Sequence, residues 1–309
     1  MKFAFVILHY LVTEDTIDCV NSILQNLEGT NYEIVIVENG SNNGSGNILK
    51  EIYSTQKIVH IIELNNNYGF AKGNNFGFQF AKGTLNANYI IMINNDTIIK
   101  QKNFLQEVER IYKRNKFDIL GPDIISLIDL KHQNPYSTNT VSYTQENVEK
   151  LIQIRRINLF MSKIYIRQIA EYVYLNFFKP FFPKKMNNPE LKNNSSNHET
   201  ELVGRKLHGS CLIFSPDFIK KYNGLYSKTY MYMEEEILFY IAKQEKLNTL
   251  YSPRIQIFHK EDSSTNALVK SDRKKKIFIY KNEILSLKQL LSIIRDNNIY
   301  RQDMLSEHE

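Results

Sequence analysis

Tryptophan is absent from the 309 residues, and cysteine occurs only at positions 19 and 211. Two cysteines without metal-ligand spacing exclude a disulfide framework and a zinc ribbon, and make a reducing cytosol the expected compartment. No stretch is long enough and free enough of charge to span a bilayer. The start, Met1 to Leu8, carries Lys2 and an apolar run. That run is too short for a signal peptide, lacks a small-residue cleavage site and is followed by Glu14 and Asp15, so it is expected to be a first core strand. No glycine-rich loop ends in Gly-Lys-Ser/Thr and no GxGxxG follows a strand. Both absences argue against ATPases of the P-loop type and nicotinamide-dependent oxidoreductases. A nucleotidyltransferase making nucleotide sugars would carry a Gly-rich, basic loop after its first strand, and His9-Tyr10-Leu11-Val12 stands there instead. There is no internal repeat.

What is present is basic: the formal net charge is +6, which fits an anionic partner such as a nucleotide or a phospholipid surface. Nucleic acid is not expected, because the basic residues gather in the middle and tail without a matching motif. The first part alternates strand and helix patterns. Strands are expected at 3–9, 33–38, 58–64, 89–93 and from 117. Helices are expected at 14–27 (capped by Thr13), 46–55, 71–82 and 102–115. Such alternation implies right-handed crossovers and a parallel sheet. The polar loops after Leu8, Glu38, Leu64 and Ile93 then share one edge of that sheet, where α/β proteins bind ligands.

Those loops carry the chemistry. In Ile93-Asn94-Asn95-Asp96-Thr97 an apolar strand delivers one carboxylate and two amides to a polar exit. A lone carboxylate there suits a hard divalent cation already held by a diphosphate; the plainer reading is an Asn-Asp turn. Glu38, before Asn39-Gly40-Ser41, is placed to accept from a base N–H or a ribose hydroxyl, or else faces water. Asn67-Tyr68-Gly69-Phe70-Ala71-Lys72-Gly73-Asn74 joins a strand exit to a helix start, where backbone N–H groups favour phosphate and Lys72 adds a cation. Gly73 and Gly77 inside that helix suggest close packing or ligand approach. Glu234-Glu235-Glu236 opens a helix after Tyr230-Met231-Tyr232-Met233. Its carboxylates either complement the helix dipole or raise one another's pKa toward a general base. His259 ends a strand and is either structural or available to a metal, phosphate or acceptor. His208 precedes Gly209-Ser210-Cys211, a small-residue turn that lines a sugar pocket or only turns the chain.

Between these parts, 131–200 reads differently. Residues 132–147 are polar and loop-like. Lys150 to Lys185 is long, aromatic and basic, with Arg156, Lys163 and Arg167 near one face and Ile157, Phe160, Met161 and Ile164 beside them. Such a helix reads either as a membrane-surface element or as an insertion packed on the core. Residues 187–197 are Asn-rich. Beyond them, Ser215-Pro216 reads as a helix start, 234–246 as a helix, 249–251 and 255–258 as short strands, and 271–295 as a basic amphipathic helix.

In this order, Ile7-Leu8-His9-Tyr10, Glu38-Asn39-Gly40-Ser41, Asn67 to Asn74, Asn94-Asn95-Asp96, Gly209-Ser210-Cys211 and Glu234-Glu235-Glu236 with His259 resemble glycosyltransferase family 2, of the rhamnosyltransferase-like kind in bacterial surface-polysaccharide pathways. The resemblance covers about 1–130 and 202–282. It implies an α/β GT-A fold with a mostly parallel mixed sheet and an inserted helical region. The donor-binding half would be 1–130, the insertion 131–200, and the acceptor-binding half with a C-terminal helix 201–309. It implies a UDP- or dTDP-sugar donor, Mn²⁺ or Mg²⁺, and inversion at the anomeric carbon. The acceptor would be a saccharide or lipid-linked saccharide in capsule, O-antigen or cell-wall synthesis, and the enzyme cytoplasmic and peripheral at the inner face of the membrane. Asp96 matches the family's metal carboxylate, with His259 as a further ligand. Donor contacts fall to His9, Tyr10, Glu38, Asn39, Gly40, Asn67, Gly69, Phe70, Lys72, Asn74, Asn94 and Asn95, and acceptor contacts to Gly209, Ser210 and Cys211. Glu235 stands where the family usually has a catalytic Asp, so Glu234 and Glu236 remain alternative bases. Tyr280-Lys281-Asn282 is similar to a Tyr/Arg-Asn pattern with Lys in place of Arg.

Overall fold

The computed structural model describes residues 1–29, 31–136, 143–164, 198–261 and 271–305. Arg167, the aromatic stretch up to Lys185 and the Asn-rich 187–197 lie outside the described residues. Four strands, Phe3–His9 (β1), Tyr32–Glu38 (β2), Val59–Glu63 (β3) and Tyr89–Asn94 (β4), pair in parallel in the order β3-β2-β1-β4. Their register sets His9 beside Glu38, Glu38 beside Glu63, and Leu8 beside Asn94, so all four strands end at one rim. The shared rim expected from the sequence is therefore present.

Alternation along these strands makes two cores. Ala4, Val6, Val35 and Val37 face Phe70–Gly83 (α3), through Ala71, Phe78 and Ala81. Phe5, Ile7, Ile34 and Ile36 belong to the opposite core with residues of Thr13–Asn26 (α1), Ser45–Tyr53 (α2) and Phe104–Asn115 (α4). A Cβ on Gly77 would meet Val6 Cγ1 at 2.4 Å and Val37 Cγ2 at 2.8 Å, and one on Gly73 would meet Leu8 Cδ1 at 2.7 Å. Both glycines serve close helix–sheet packing.

The sheet continues past β4 as β9-β6-β10-β5, comprising Cys211–Phe214 (β9), Ile119–Ser126 (β6), Thr249–His259 (β10) and Thr97–Ile98 (β5). β9 runs antiparallel to both β4 and β6, while β6 and β10 are parallel. The sheet is thus mixed α/β. His132–Asn134 (β7) pairs with β6 and Leu202–Val203 (β8) with β10. The remaining helices are Gln145–Lys163 (α5), Pro216–Lys221 (α6), Glu234–Gln244 (α7), Asp272–Arg295 (α8) and Asn298–Met304 (α9).

Several local expectations change. Val12, not Thr13, is the cap residue of α1, because the chain turns early through Leu11 at φ 64°, whose N–H donates to Ser41 Oγ. Residues 132–147 are not all loop: β7 forms, and Thr144 caps α5 by accepting from the Asn147 N–H. β7 lacks apolar alternation because polar contacts hold it: His132 Nδ1 lies 2.7 Å from Asp123, and Asn134 donates to the Pro122 carbonyl at 2.8 Å. The strands expected at 249–251 and 255–258 are one strand, with a register shift between Ser252 and Gln256 around Pro253. Ser215 and Pro216 start α6 as expected, Ser215 Oγ accepting from the Phe218 N–H. α5 lies antiparallel against α8, tied by Glu149–Arg295, Arg155–Glu283 and the Arg273 guanidinium on the Ser162 and Lys163 carbonyls.

Candidate active site

At the rim where β1 and β4 end, a cavity of about 400 Å³ opens between the strand exits and the first turn of α7. Tyr10, Asn39, Asn67, Gly69, Phe70, Asn94, Asn95, Asp96, Gly209, Ser210, Glu234, Glu235, Glu236 and His259, all named from the sequence, line it.

β5 explains how residues so distant in sequence meet. It pairs His259 with Thr97, which sets the imidazole beside Asp96. The Lys260 N–H donates to the Asp96 carbonyl at 2.9 Å and completes the join. His259 Nε2 and Asp96 Oδ1 lie 3.2 Å apart. Both atoms are buried, and neither has an aligned hydrogen-bond partner. On its other side, His259 Nδ1 contacts Gln133 Oε1 at 2.8 Å. The neighbouring His208 ring is 5.8 Å from His259, and burial lowers its pKa to about 4, so it is neutral at pH 7.

The three glutamates occupy three different settings. Burial, then the charge of Glu235, pushes the Glu234 carboxyl up to about 8, so it carries a proton at neutral pH. Glu236 is paired with Lys206 at 2.7 Å. Glu235 accepts at Oε1 from the Gly209 N–H at 2.9 Å and from the Tyr136 hydroxyl at 3.4 Å. Burial, reinforced by Glu235 and Glu236, raises the Tyr136 phenol well above its ordinary value, so it stays a donor. Tyr136 also lies under Lys206 Nζ at 3.9 Å and stacks on His208.

The loop leading to α3 is sewn together by amides. Asn39 accepts from the Tyr68 N–H at 2.9 Å and donates to Asn67 Oδ1 at 3.1 Å, while Asn67 Oδ1 also accepts from the Gly69 N–H at 2.8 Å. The Phe70 N–H donates to the Tyr230 carbonyl at 2.8 Å. Gly69 has φ +82° and a Cβ there would lie 2.1 Å from the Tyr230 oxygen. Tyr232 and Met233 then take φ of 70° and 72°, a left-handed pair unusual for such side chains, just before Glu234.

Other residues assigned to the site from the sequence lie elsewhere. His9 is fully buried against Thr16 and Ser45, with its pKa lowered by burial to about 4. Glu38 is turned into its own loop, accepting from the Gly40 and Ser41 N–H groups, because those donors lie two and three residues on. Gly40 packs on the Asn66–Asn67 backbone. Asn74 donates back to the Phe70 carbonyl, Lys72 is exposed over the Tyr68 ring, and Cys211 is buried within β9. None of these six lines the cavity. Asn95 reaches it, but its amide donates to Thr16 at 3.0 Å. Sequence reasoning missed Tyr136, Lys206, Gln133 and Glu283; only Glu283, next to Tyr280-Lys281-Asn282, had a neighbouring signal.

The donor set fits a divalent cation to a limited degree. Two buried orphan atoms, one carboxylate and one imidazole, face each other across 3.2 Å. Among the described residues no group of three or more His, Cys, Asp or Glu side chains comes together as a closed metal cage. An open site of this kind suits a cation whose other ligands are diphosphate oxygens and water.

A parallel α/β half, a mixed second half and a carboxylate-lined cavity at the strand ends place the candidate site where α/β proteins bind ligands. The family model described as glycosyl transferase family 2 matches residues 5–173, and the chain belongs to that family. It is 21% identical over 246 residues to the low-salt glycan biosynthesis hexosyltransferase Agl10 of Haloferax volcanii, covering 79% of this chain and 62% of Agl10. It is 27% identical over 105 residues to glycosyltransferase GlyG of Streptococcus pneumoniae serotype 4, covering 34% of this chain and 33% of GlyG. The chain thus spans less than two thirds of either relative. Among solved structures, S. aureus TarS 1–349 aligns with a TM-score of 0.48 at 14% identity, over 96% of this chain and 72% of that one.

Proposed function

We propose that the protein is an inverting, metal-dependent glycosyltransferase. It moves a sugar, rhamnose by the chain's resemblance, from a UDP- or dTDP-linked donor to a saccharide or lipid-linked saccharide of a surface polysaccharide. The observation that carries this reading is the meeting of Asp96, His259 and Glu235 on one cavity at the carboxyl rim of the sheet. The Tyr68, Gly69 and Phe70 N–H groups are committed to Asn39, Asn67 and the Tyr230 carbonyl, so this loop would shape the donor pocket rather than supply those donors to the diphosphate. Asp96 and His259 would hold the cation, which when bound neutralises charge on the departing diphosphate.

Glu235 is the proposed base. Glu234 is already protonated at neutral pH and Glu236 is committed to Lys206, which leaves Glu235 to take the acceptor hydroxyl proton. Its Oε1 is occupied by Gly209 and Tyr136, so Oε2 is the accepting atom. Gly209 and Ser210 would flank the acceptor.

Association with the cytoplasmic face of the membrane is also proposed. No helix among the described residues is long and apolar enough to cross a bilayer. On α5, Ile154, Ile157 and Phe160 are exposed beside Arg156 and Lys163, as on an interfacial helix. Purified protein given Mn²⁺ and a panel of UDP- and dTDP-sugars should bind one donor and consume it. No thermal shift and no turnover with any of them would overturn the reading.

A further inference from the structure

We propose that Gln133 is a positioning residue of the active site: its side-chain carbonyl fixes the His259 tautomer that leaves Nε2 free to ligate a cation. This rests on the glycosyltransferase reading above and adds a residue from the segment that separates the two halves. Gln133 sits in the middle of β7, the three-residue polar strand on β6. Its Oε1 lies 2.8 Å from His259 Nδ1. An amide carbonyl only accepts, so Nδ1 must carry the proton. In the neutral imidazole Nε2 then presents its lone pair toward Asp96 Oδ1, 3.2 Å away, whereas an imidazolium would pair with that carboxylate by charge. Neither atom has another partner, and both are buried. In that neutral form two buried lone-pair atoms face each other, an arrangement relieved by a positive charge between them, a metal cation or a proton. Imidazole ligands of metals are commonly oriented in this way through the nitrogen that does not bind.

The placement of Gln133 is itself over-determined. Its neighbours His132 and Asn134 are fastened to Asp123 and to the Pro122 carbonyl, at 2.7 and 2.8 Å. β10, which ends in His259, is parallel to β6, with His259 opposite Ser126. β6 therefore carries β7 on one side and β10 on the other, and the amide and the imidazole meet across it. Tyr136, three residues further on, reaches Glu235. One short polar segment thus touches the groups on both sides of the cavity.

The test uses Gln133→Met, which keeps length and removes the acceptor, and Gln133→Glu, which restores an acceptor. Nitrogen-15 imidazole spectra of the metal-free protein, with His259 assigned by comparison with His259→Asn, should show the Nδ1–H tautomer in the wild type and in Gln133→Glu, and lose it in Gln133→Met. Mn²⁺ affinity, read by electron paramagnetic resonance with UDP as the co-ligand, should fall about 10- to 100-fold in Gln133→Met and recover in Gln133→Glu. If Gln133→Met does not fold, Gln133→Asn, whose carbonyl is retracted by one methylene, carries the same expectation. An Nε2–H tautomer in the wild type, or unchanged Mn²⁺ affinity in Gln133→Met, would overturn the inference while leaving the transferase reading in place. A wild type that binds no Mn²⁺ with UDP would instead overturn the metal reading, and the inference with it.

Discussion

Replacing Gly69 by Ala perturbs the point where the loop before α3 touches the loop before α7. Gly69 sits at φ 82° and ψ −175°, a region that L-residues almost never occupy. Holding Ala there costs about 1–3 kcal/mol. The new Cβ would also fall 2.1 Å from the Tyr230 oxygen and 2.8 Å from the Tyr230 Cα, both backbone atoms. Relief requires a backbone shift, at about another 1–3 kcal/mol by analogy with overpacked cores. The expected loss is therefore roughly 2–6 kcal/mol, with the displacement shared between Phe70 and the Tyr230–Met233 segment. Gly44→Ala is the control: Gly44 also has positive φ, +83°, but nothing lies within 4 Å of its Cβ position. It should lose only about 1–2 kcal/mol, the cost of the left-handed backbone alone. Urea unfolding of wild type and both variants reads the difference, and donor titration reads the site. Equal midpoints for the two variants, or Gly69→Ala within about 0.5 kcal/mol of wild type with normal donor affinity, would refute the reasoning.

Other perturbations separate the roles of the carboxylates. Asp96→Ala should abolish transfer, whereas Glu235→Gln should abolish it while leaving donor binding intact; turnover by either purified variant would remove that residue from its role. Tyr136→Phe removes one donor to Glu235 and should lower kcat about 5- to 10-fold, equivalent to roughly 1 kcal/mol, with donor affinity unchanged; an unchanged kcat would show that the contact is idle. Glu234 binds its proton more tightly in the fold than when unfolded, so its contribution to stability falls as pH rises from about 4.5 to about 8. The stability gain of Glu234→Gln over wild type should therefore grow between pH 5 and pH 9 in thermal melts, and a gap independent of pH would contradict the raised pKa. Low-salt sedimentation with anionic vesicles should carry the protein down through the exposed face of α5, and a protein that stays in the supernatant counts against membrane contact.

The parallel half was legible because β1, β2 and β4 are apolar runs ending in turn formers and burial on both faces leaves that pattern intact, while the edge strand β3 is only half-buried. Asp96 and the Glu234–Glu236 triplet, named from the sequence at a strand exit and a helix start, come together on one cavity. Glu38 misled: a carboxylate before Asn-Gly-Ser looks the same in sequence whether it meets a ligand or its own loop amides. His9 misled in the same way, since burial beside Thr16 and Ser45 depends on α1 and α2 closing over it. Gln133 and Tyr136 had no signal. Their role comes from β7 lying on β6, and a three-residue polar strand has no periodicity to read. Lys206 and Glu236 are likewise paired only by tertiary structure. The order β4-β9-β6-β10-β5 was equally hidden, because antiparallel insertion of β9 between β4 and β6 joins residues far apart in the chain.

The most direct test is the position of the metal. In crystals soaked with Mn²⁺ and a nucleoside-diphosphate sugar, the anomalous peak should lie about 2.1 Å from Asp96 Oδ1, in contact with His259 Nε2 and the diphosphate, with Glu235 across the cavity. A nucleotide and metal bound away from Asp96 would contradict the account.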